Sequence, residues 1–293
     1  MALLTVEGLN KSYPAFSLKD VSFSLEPGYI MGFVGRNGSG KTTTLKAIMN
    51  LIHPQSGTIT ILGQDFRTHE LDLKERIGFG LGDVPFYPKR TLAAITAVVA
   101  RFYTTWDAGL YARLVRQFGL DVTKKVDQLS AGMKVKYSLA LAMSHHAQLL
   151  ILDEPTSGLD PVSRDDLLYM FRSIIESGEA SILFSTHITS DLEKCADFIT
   201  YIRDGSIVAS RDKDSFVDAY RLVKGPKSAL TPNLRATLIG CRETSLGFTG
   251  LALTQDLPPS LPGIIVETPD IESVMVYHEM TTEEPFVYTP ISD

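Results

Sequence analysis

The stretch GRNGSGKTT, residues 35–43, decides the fold. Before it runs YIMGFV, 29–34, an apolar segment too short for a helix, which reads as a buried strand. After it comes TTTLKAIMNLI, with helical periodicity that stops before Pro54. A glycine-rich G-x-x-x-x-G-K-[ST] loop between a strand and a helix is built to hold a polyphosphate. Gly35, Gly38 and Gly40 let the backbone turn tightly and aim its N–H groups inward as an anion nest. Asn37 and Ser39 lie within that nest, and the helix start adds free donors and a positive dipole end. Lys41 is placed to reach the β- and γ-phosphates, Thr42 to offer its hydroxyl to Mg²⁺, and Thr43 to contact the α-phosphate. ATP and Mg²⁺ are the expected ligands.

LLILDEP, 149–155, supplies the partner. An apolar strand carries Asp153 to the carboxyl edge of the sheet, where open α/β sheets bind ligands. Asp153 is expected to hold Mg²⁺, and Glu154 to polarise the attacking water as general base. Working outward, strands are expected at 3–8, 21–25, 57–63 and 180–186, and a hairpin turns at Arg203-Asp204-Gly205. Residues 91–128 read as helical, as do 163–176. His145 and His146 read as the end of an amphipathic helix, and Arg101, Arg113 and Arg116 as its solvated or partner-facing side. Strands alternating with helices imply an α/β fold with a mostly parallel sheet covered on both faces, plus an N-terminal antiparallel β part. Beyond about residue 215 the long periodic helices give way to prolines and short strand-like pieces such as GIIVE. The expected division is an ATPase domain at 1–215, with a helical subdomain inserted at about 86–146, and a small α+β accessory domain at 216–293.

Three further motifs carry a family resemblance over residues 3–212. LSAGM (129–133) opens a helix, SGLD (157–160) follows Glu154, and STH (185–187) ends the next strand. In this order the chain resembles the ABC-type ATPases. The resemblance implies a head-to-tail dimer, homo- or heteromeric, with two ATP molecules between the subunits. Ser130 and Gly132 would meet the γ-phosphate across the interface, Asp160 would belong to the same composite site, and His187 would contact the γ-phosphate and attacking water. Tyr13 matches the aromatic that stacks on adenine. The chain departs from the usual signature at Ala131 and Met133. Alanine disfavours positive φ, so residue 131 must sit in an ordinary backbone region. Gly82 stands where relatives carry a glutamine that contacts Mg²⁺ and water, and neighbouring Asp83 is a possible substitute ligand.

Composition narrows the partners. A net charge of −6 and pI near 5.6 disfavour a nucleic-acid partner, since that binding relies on Lys and Arg. Cys195 and Cys241 show no zinc spacing and read as free thiols. No apolar run is long enough to span a bilayer, and the first residues lack a secretory layout. The expectation is a cytoplasmic protein, peripheral on the inner membrane face through a partner.

The chain is most similar to the ATPases of bacterial two-component exporters, such as the bacitracin-resistance and phenol-soluble-modulin exporters. That resemblance rests on the short Ser-x-Gly-Met signature, the FYTTWD segment (102–107) and the small C-terminal domain. It implies an ATP-hydrolysing subunit that powers a separate transmembrane permease for export of antimicrobial or amphipathic peptides, or lipids. Two rivals stand beside it: a soluble ABC-type ATPase in DNA repair or translation, and a catalytically weak regulatory cassette.

Overall fold

The computed structural model describes residues 2–81 and 87–280. The chain divides into two compact units, Met1–Arg211 and Asp212–Asp293.

The first unit opens with β1 (Leu4–Tyr13), β2 (Phe16–Leu25) and β3 (Ile30–Val34), then α1 (Lys41–Ile48). β4 (Ser56–Ile61), β5 (Gln64–Asp65), α2 (Glu70–Lys74) and β6 (Ile77–Leu81) follow. Three helices come next: α3 (Leu92–Val99), α4 (Ala108–Gln117) and α5 (Ala131–Ser144). The unit closes with β7 (Leu149–Asp153), α6 (Pro161–Glu176), β8 (Ser181–Thr186), α7 (Thr189–Cys195), β9 (Phe198–Arg203) and β10 (Ser206–Asp212).

The strands form two sheets, ordered β2-β1-β4-β5 and β10-β9-β3-β8-β7-β6. In the first, β1 pairs antiparallel with β2 and β4. In the second, β9, β3, β8, β7 and β6 run parallel. Every residue of β3, β7 and β8 is buried, as a parallel sheet covered on both faces requires. One core joins the two sheets through α1: Leu4, Val6 and Leu9 pack with Phe33, Leu45, Ile48, Ile151 and Leu183. Each such side chain contributes about 1.5–3 kcal/mol on burial. Because β7, β3 and β8 are neighbours, the residues just beyond their carboxyl ends meet at one edge of the sheet. That edge is where the phosphate loop, Glu154 and His187 lie.

Two expectations for this unit are corrected. The first strands are ten residues each, far longer than 3–8 and 21–25. Register shifts between Val6 and Leu9 and between Leu9 and Lys11 interrupt the alternation that would have revealed them. Residues 91–128 are not one helical stretch. Tyr103 is extended and Thr104 and Thr105 donate to Glu75 Oε2 and to the His145 carbonyl, so the chain turns before Asp107 caps α4. Gly119, at φ +64, then ends α4. The helices share a core of Leu92, Ile95, Leu120, Val126 and Tyr137. Arg101, Arg113 and Arg116 are exposed. His145, the residue after α5, is buried against Tyr103 with ring centroids 3.8 Å apart.

The second unit contains α8 (Lys213–Asp218), β11 (Tyr220–Gly225), α9 (Pro232–Thr237), β12 (Leu238–Glu243), β13 (Phe248–Leu253), β14 (Ile265–Glu267) and α10 (Ile271–Glu279). Its sheet has the order β12-β13-β11-β14, with antiparallel pairing throughout. Val223, Leu234, Phe248 and Ala252 form its core, and α10 packs on β12 and β13. This is an α+β arrangement.

Candidate active site

The phosphate loop owes its path to its glycines. A Cβ on Gly35 would come 2.3 Å from the Ile202 carbonyl oxygen and 2.5 Å from Ser39 Oγ, so no side chain fits there. Gly38 and Gly40 adopt φ of +85 and +114, a region that disfavours other residues. The Ser39 hydroxyl is buried, and among the described residues it has no hydrogen-bond partner. An orphaned buried hydroxyl is costly unless a ligand completes it. Lys41 is 5% exposed, and its ammonium donates to the carbonyls of Gly35 (2.7 Å) and Arg36 (3.2 Å). The Lys41 Nζ also lies 3.2 Å from Glu154 Oε1. Thr42 and Thr43 occupy the first turn of α1, below the nest.

The acidic pair faces that loop. Thr42 Oγ1 donates to Asp153 Oδ2 at 2.8 Å, although 111 residues separate them. Ser185, near the end of β8, donates to the other oxygen, Asp153 Oδ1, at 2.5 Å. The same Ser185 Oγ accepts the Glu154 backbone N–H at 2.9 Å. Glu154 has φ of 49, a left-handed conformation costing on the order of 1–3 kcal/mol for a residue with a side chain. That turn swings its carboxylate away from the strand line. Glu154 Oε2 then meets His187 Nδ1 at 2.8 Å. Lys41, Thr42, Asp153, Glu154 and His187 thus converge from two adjacent strand ends and one helix start.

Ser185 is the residue that the sequence reading quoted within STH but gave no role. Its signal was present: a Ser-Thr pair closing an apolar strand must find polar partners inside the sheet. Here both carboxylate positioning and the Glu154 backbone depend on it.

The remaining expected residues lie in other places. Ser130 caps α5, its Oγ accepting the Met133 N–H at 3.2 Å. Ala131 is the first residue of that helix and needs no positive φ, so the departure from glycine costs the backbone nothing. Gly132 lies beside α6, where an added Cβ would meet Ser163 at 3.5 Å. Asp160 caps α6 by accepting from Val162 and Ser163, and hydrogen bonds from Ser163 hold its carboxyl below the usual range. Ser130, Gly132 and Asp160 therefore group at the junction of α5 and α6. Tyr13 ends β1 opposite Phe16, with its ring 43% exposed and Lys11 Nζ 5.4 Å from its centroid. Phe16 in turn abuts Gly40, where an added Cβ would come within 2.8 Å of its ring. Gly82 and Asp83 lie outside the described residues.

The donor set fits a hard divalent cation. Thr42 Oγ1 and Asp153 Oδ2 are oxygens held side by side at the phosphate loop. Among the described residues no group of three or more His, Cys, Asp or Glu side chains could cage a metal. Mg²⁺ ordinarily takes one or two protein oxygens and leaves the rest to phosphates and water.

Comparison with known proteins points to one family. The family model described as "ABC transporter" matches residues 18–157. The ABC transporter ATP-binding protein YtrB of Bacillus subtilis (strain 168) is 36% identical over 203 residues, which is 69% of this chain and 69% of that protein. The bacitracin transport ATP-binding protein BcrA of Bacillus licheniformis is 33% identical over 66% of this chain and 63% of its own. The lantibiotic transport ATP-binding protein SrtF of Streptococcus pyogenes is 32% identical over 72% and 92%. Among solved structures, an ATP-binding subunit of an ABC transporter superposes with a TM-score of 0.63 at 30% identity, covering 73% of this chain and 91% of that one. A nucleotide-free ATP-binding cassette superposes with a TM-score of 0.64 at 20% identity, over 74% and 94%, which supports the fold alone. Among the described residues no helix is long and apolar enough to cross a membrane. The chain belongs to the ABC transporter ATP-binding family, P-loop ATPases that hydrolyse ATP.

Proposed function

We propose that this chain is the ATPase subunit of an exporter, driving a separate transmembrane permease from the inner face of the membrane. The observation that carries the reading is the contact of Glu154 with both Lys41 and His187 at the mouth of the phosphate loop. In this reading ATP phosphates enter the nest of Gly35–Thr43 and complete the Ser39 hydroxyl. They also compete for Lys41, which releases Glu154 Oε1 from its ion pair. Glu154, oriented by His187, takes a proton from water as the water oxygen attacks the γ-phosphorus. The bond to the β–γ bridging oxygen breaks, giving ADP and phosphate. Thr42 and Asp153 would hold Mg²⁺, which neutralises charge on the β- and γ-phosphates.

The cassette would occupy 1–215, with the helical subdomain at about 86–146, and 216–293 would form the accessory domain. Ser130, Gly132 and Asp160, grouped where α5 and α6 begin, would complete the site of a second cassette. Tyr13 would stack on adenine. Relatives named for bacitracin and lantibiotic transport favour antimicrobial or amphipathic peptides as cargo. Closure on ATP would pull on the permease, and hydrolysis would reopen the dimer. Light scattering of purified Glu154→Gln with saturating ATP and Mg²⁺ tests the sandwich: a dimer is expected, and a persistent monomer contradicts it.

A further inference from the structure

Two links, not one, tie the loop after β7 to the segment after β8. The first is the Glu154–His187 contact already described. The second lies deeper. Thr156 Oγ1 donates to Asp191 Oδ2 at 2.6 Å, and both residues are fully buried. Asp191 sits in the first turn of α7, four residues beyond His187; Thr156 is two residues beyond Glu154. The backbone between each pair is short, so the four residues close a small ring: Glu154, Thr156, Asp191, His187. Within this ring Ser157 N–H donates to the Glu154 carbonyl at 3.1 Å, and Asp191 N–H donates to the Ile188 carbonyl at 3.2 Å. Both arms are therefore internally braced turns.

We infer that Asp191 is a positioning residue for Glu154, acting through Thr156 to hold the left-handed turn that aims the Glu154 carboxylate at the phosphate loop. Three observations converge on it. Glu154 is strained at φ of 49, and strain persists only where the surroundings over-determine it. A carboxyl buried in the first turn of α7 needs a specific reason to be there. Burial pushes the Asp191 carboxyl up, opposed by the Thr156 hydrogen bond and then by Arg164. The Arg164 Nε stops 4.0 Å from Asp191 Oδ1, and among the described residues neither atom has a hydrogen-bond partner, so the bond from Thr156 is the directional contact on this carboxylate. An apolar pair at these positions would fill the same space without fixing the turn.

The inference rests on Glu154 acting as the base, and the test separates the two. Steady-state ATP hydrolysis of the full chain with Mg²⁺ is measured for wild type, Thr156→Val, Thr156→Ser, Thr156→Val/Asp191→Leu and Glu154→Gln. Thr156→Val should lower kcat by roughly ten- to a hundredfold, because a misplacement of about 1 Å is worth that much, with KM for ATP changed less than about twofold. Thr156→Ser keeps the hydroxyl and should hold kcat within about twofold of wild type. The double variant removes both polar groups, so no carboxylate is left buried without its hydroxyl partner, and Arg164, whose side chain is 28% exposed, keeps access to water. It too should lose roughly tenfold or more in kcat. Thr156→Val or the double variant turning over like wild type, while Glu154→Gln is inactive, would overturn the positioning role alone. Glu154→Gln turning over like wild type would instead remove the base on which it depends.

Discussion

His187 Nδ1 lies 2.8 Å from Glu154 Oε2, joining the residues just beyond the ends of two adjacent parallel strands. The contact spans 33 positions of sequence but a single inter-strand gap. It gives Glu154 a second partner beside Lys41, whose Nζ lies 3.2 Å from Glu154 Oε1 and whose ammonium both the carboxylate and a triphosphate would claim.

Lys41→Ala should weaken ATP binding. The ammonium is buried and charge-assisted contacts are worth roughly 1.5–3 kcal/mol, which corresponds to about a ten- to hundredfold rise in Kd. Calorimetric titration with a non-hydrolysable ATP analogue measures it. A Kd within about twofold of wild type would mean the loop amides alone hold the phosphates.

Ser185→Ala should change the metal requirement before it changes nucleotide affinity. Its hydroxyl orients Asp153 and accepts from the Glu154 backbone. Losing such outer support typically costs about 10–100-fold in metal affinity. The Mg²⁺ concentration giving half-maximal ATP hydrolysis should rise accordingly, while ATP affinity without metal stays near wild type.

Much of this site was legible in the sequence because its parts are local. Gly35 to Thr43 is one loop, and Asp153 and Glu154 end one apolar strand. What could not be read is which distant atoms meet. Thr42 with Asp153, and Ser185 with both Asp153 and Glu154, depend on strand order rather than on spacing. The strained turn at Glu154 has no composition signal, since glutamate is no turn former. The interruption of residues 91–128 was hidden because TTWD keeps apolar spacing on either side, while Thr104 and Thr105 find partners 29 and 40 positions away. The α+β unit after residue 215 was legible as a change in texture, but its strand pairing was not.

Stability should fall as pH drops from 7 toward 5, and His145 should account for part of it. Burial lowers the His145 pKa below 6.5, with its hydrogen bond to the Glu75 carbonyl opposing. A carbonyl only accepts, so Nδ1 carries the proton in this 2.9 Å contact. The folded state thus prefers neutral imidazole, and the unfolded chain binds more protons below about pH 6.5. Stability is full above that value and declines as pH falls toward the folded-state pKa. His145→Asn keeps a donor to Glu75 but cannot titrate. Thermal melting between pH 7 and 5 should show a shallower decline for this variant, at pH values above those where carboxylates such as Asp107 titrate.

The account turns on Glu154 as the base that activates water. Its most direct test is single-turnover hydrolysis of ATP by the full chain with Mg²⁺, comparing wild type with Glu154→Gln. General-base catalysis contributes roughly 10²–10⁴-fold, so the variant should bind ATP normally yet hydrolyse it at least about a hundredfold more slowly. Hydrolysis by Glu154→Gln at the wild-type rate would contradict the assignment.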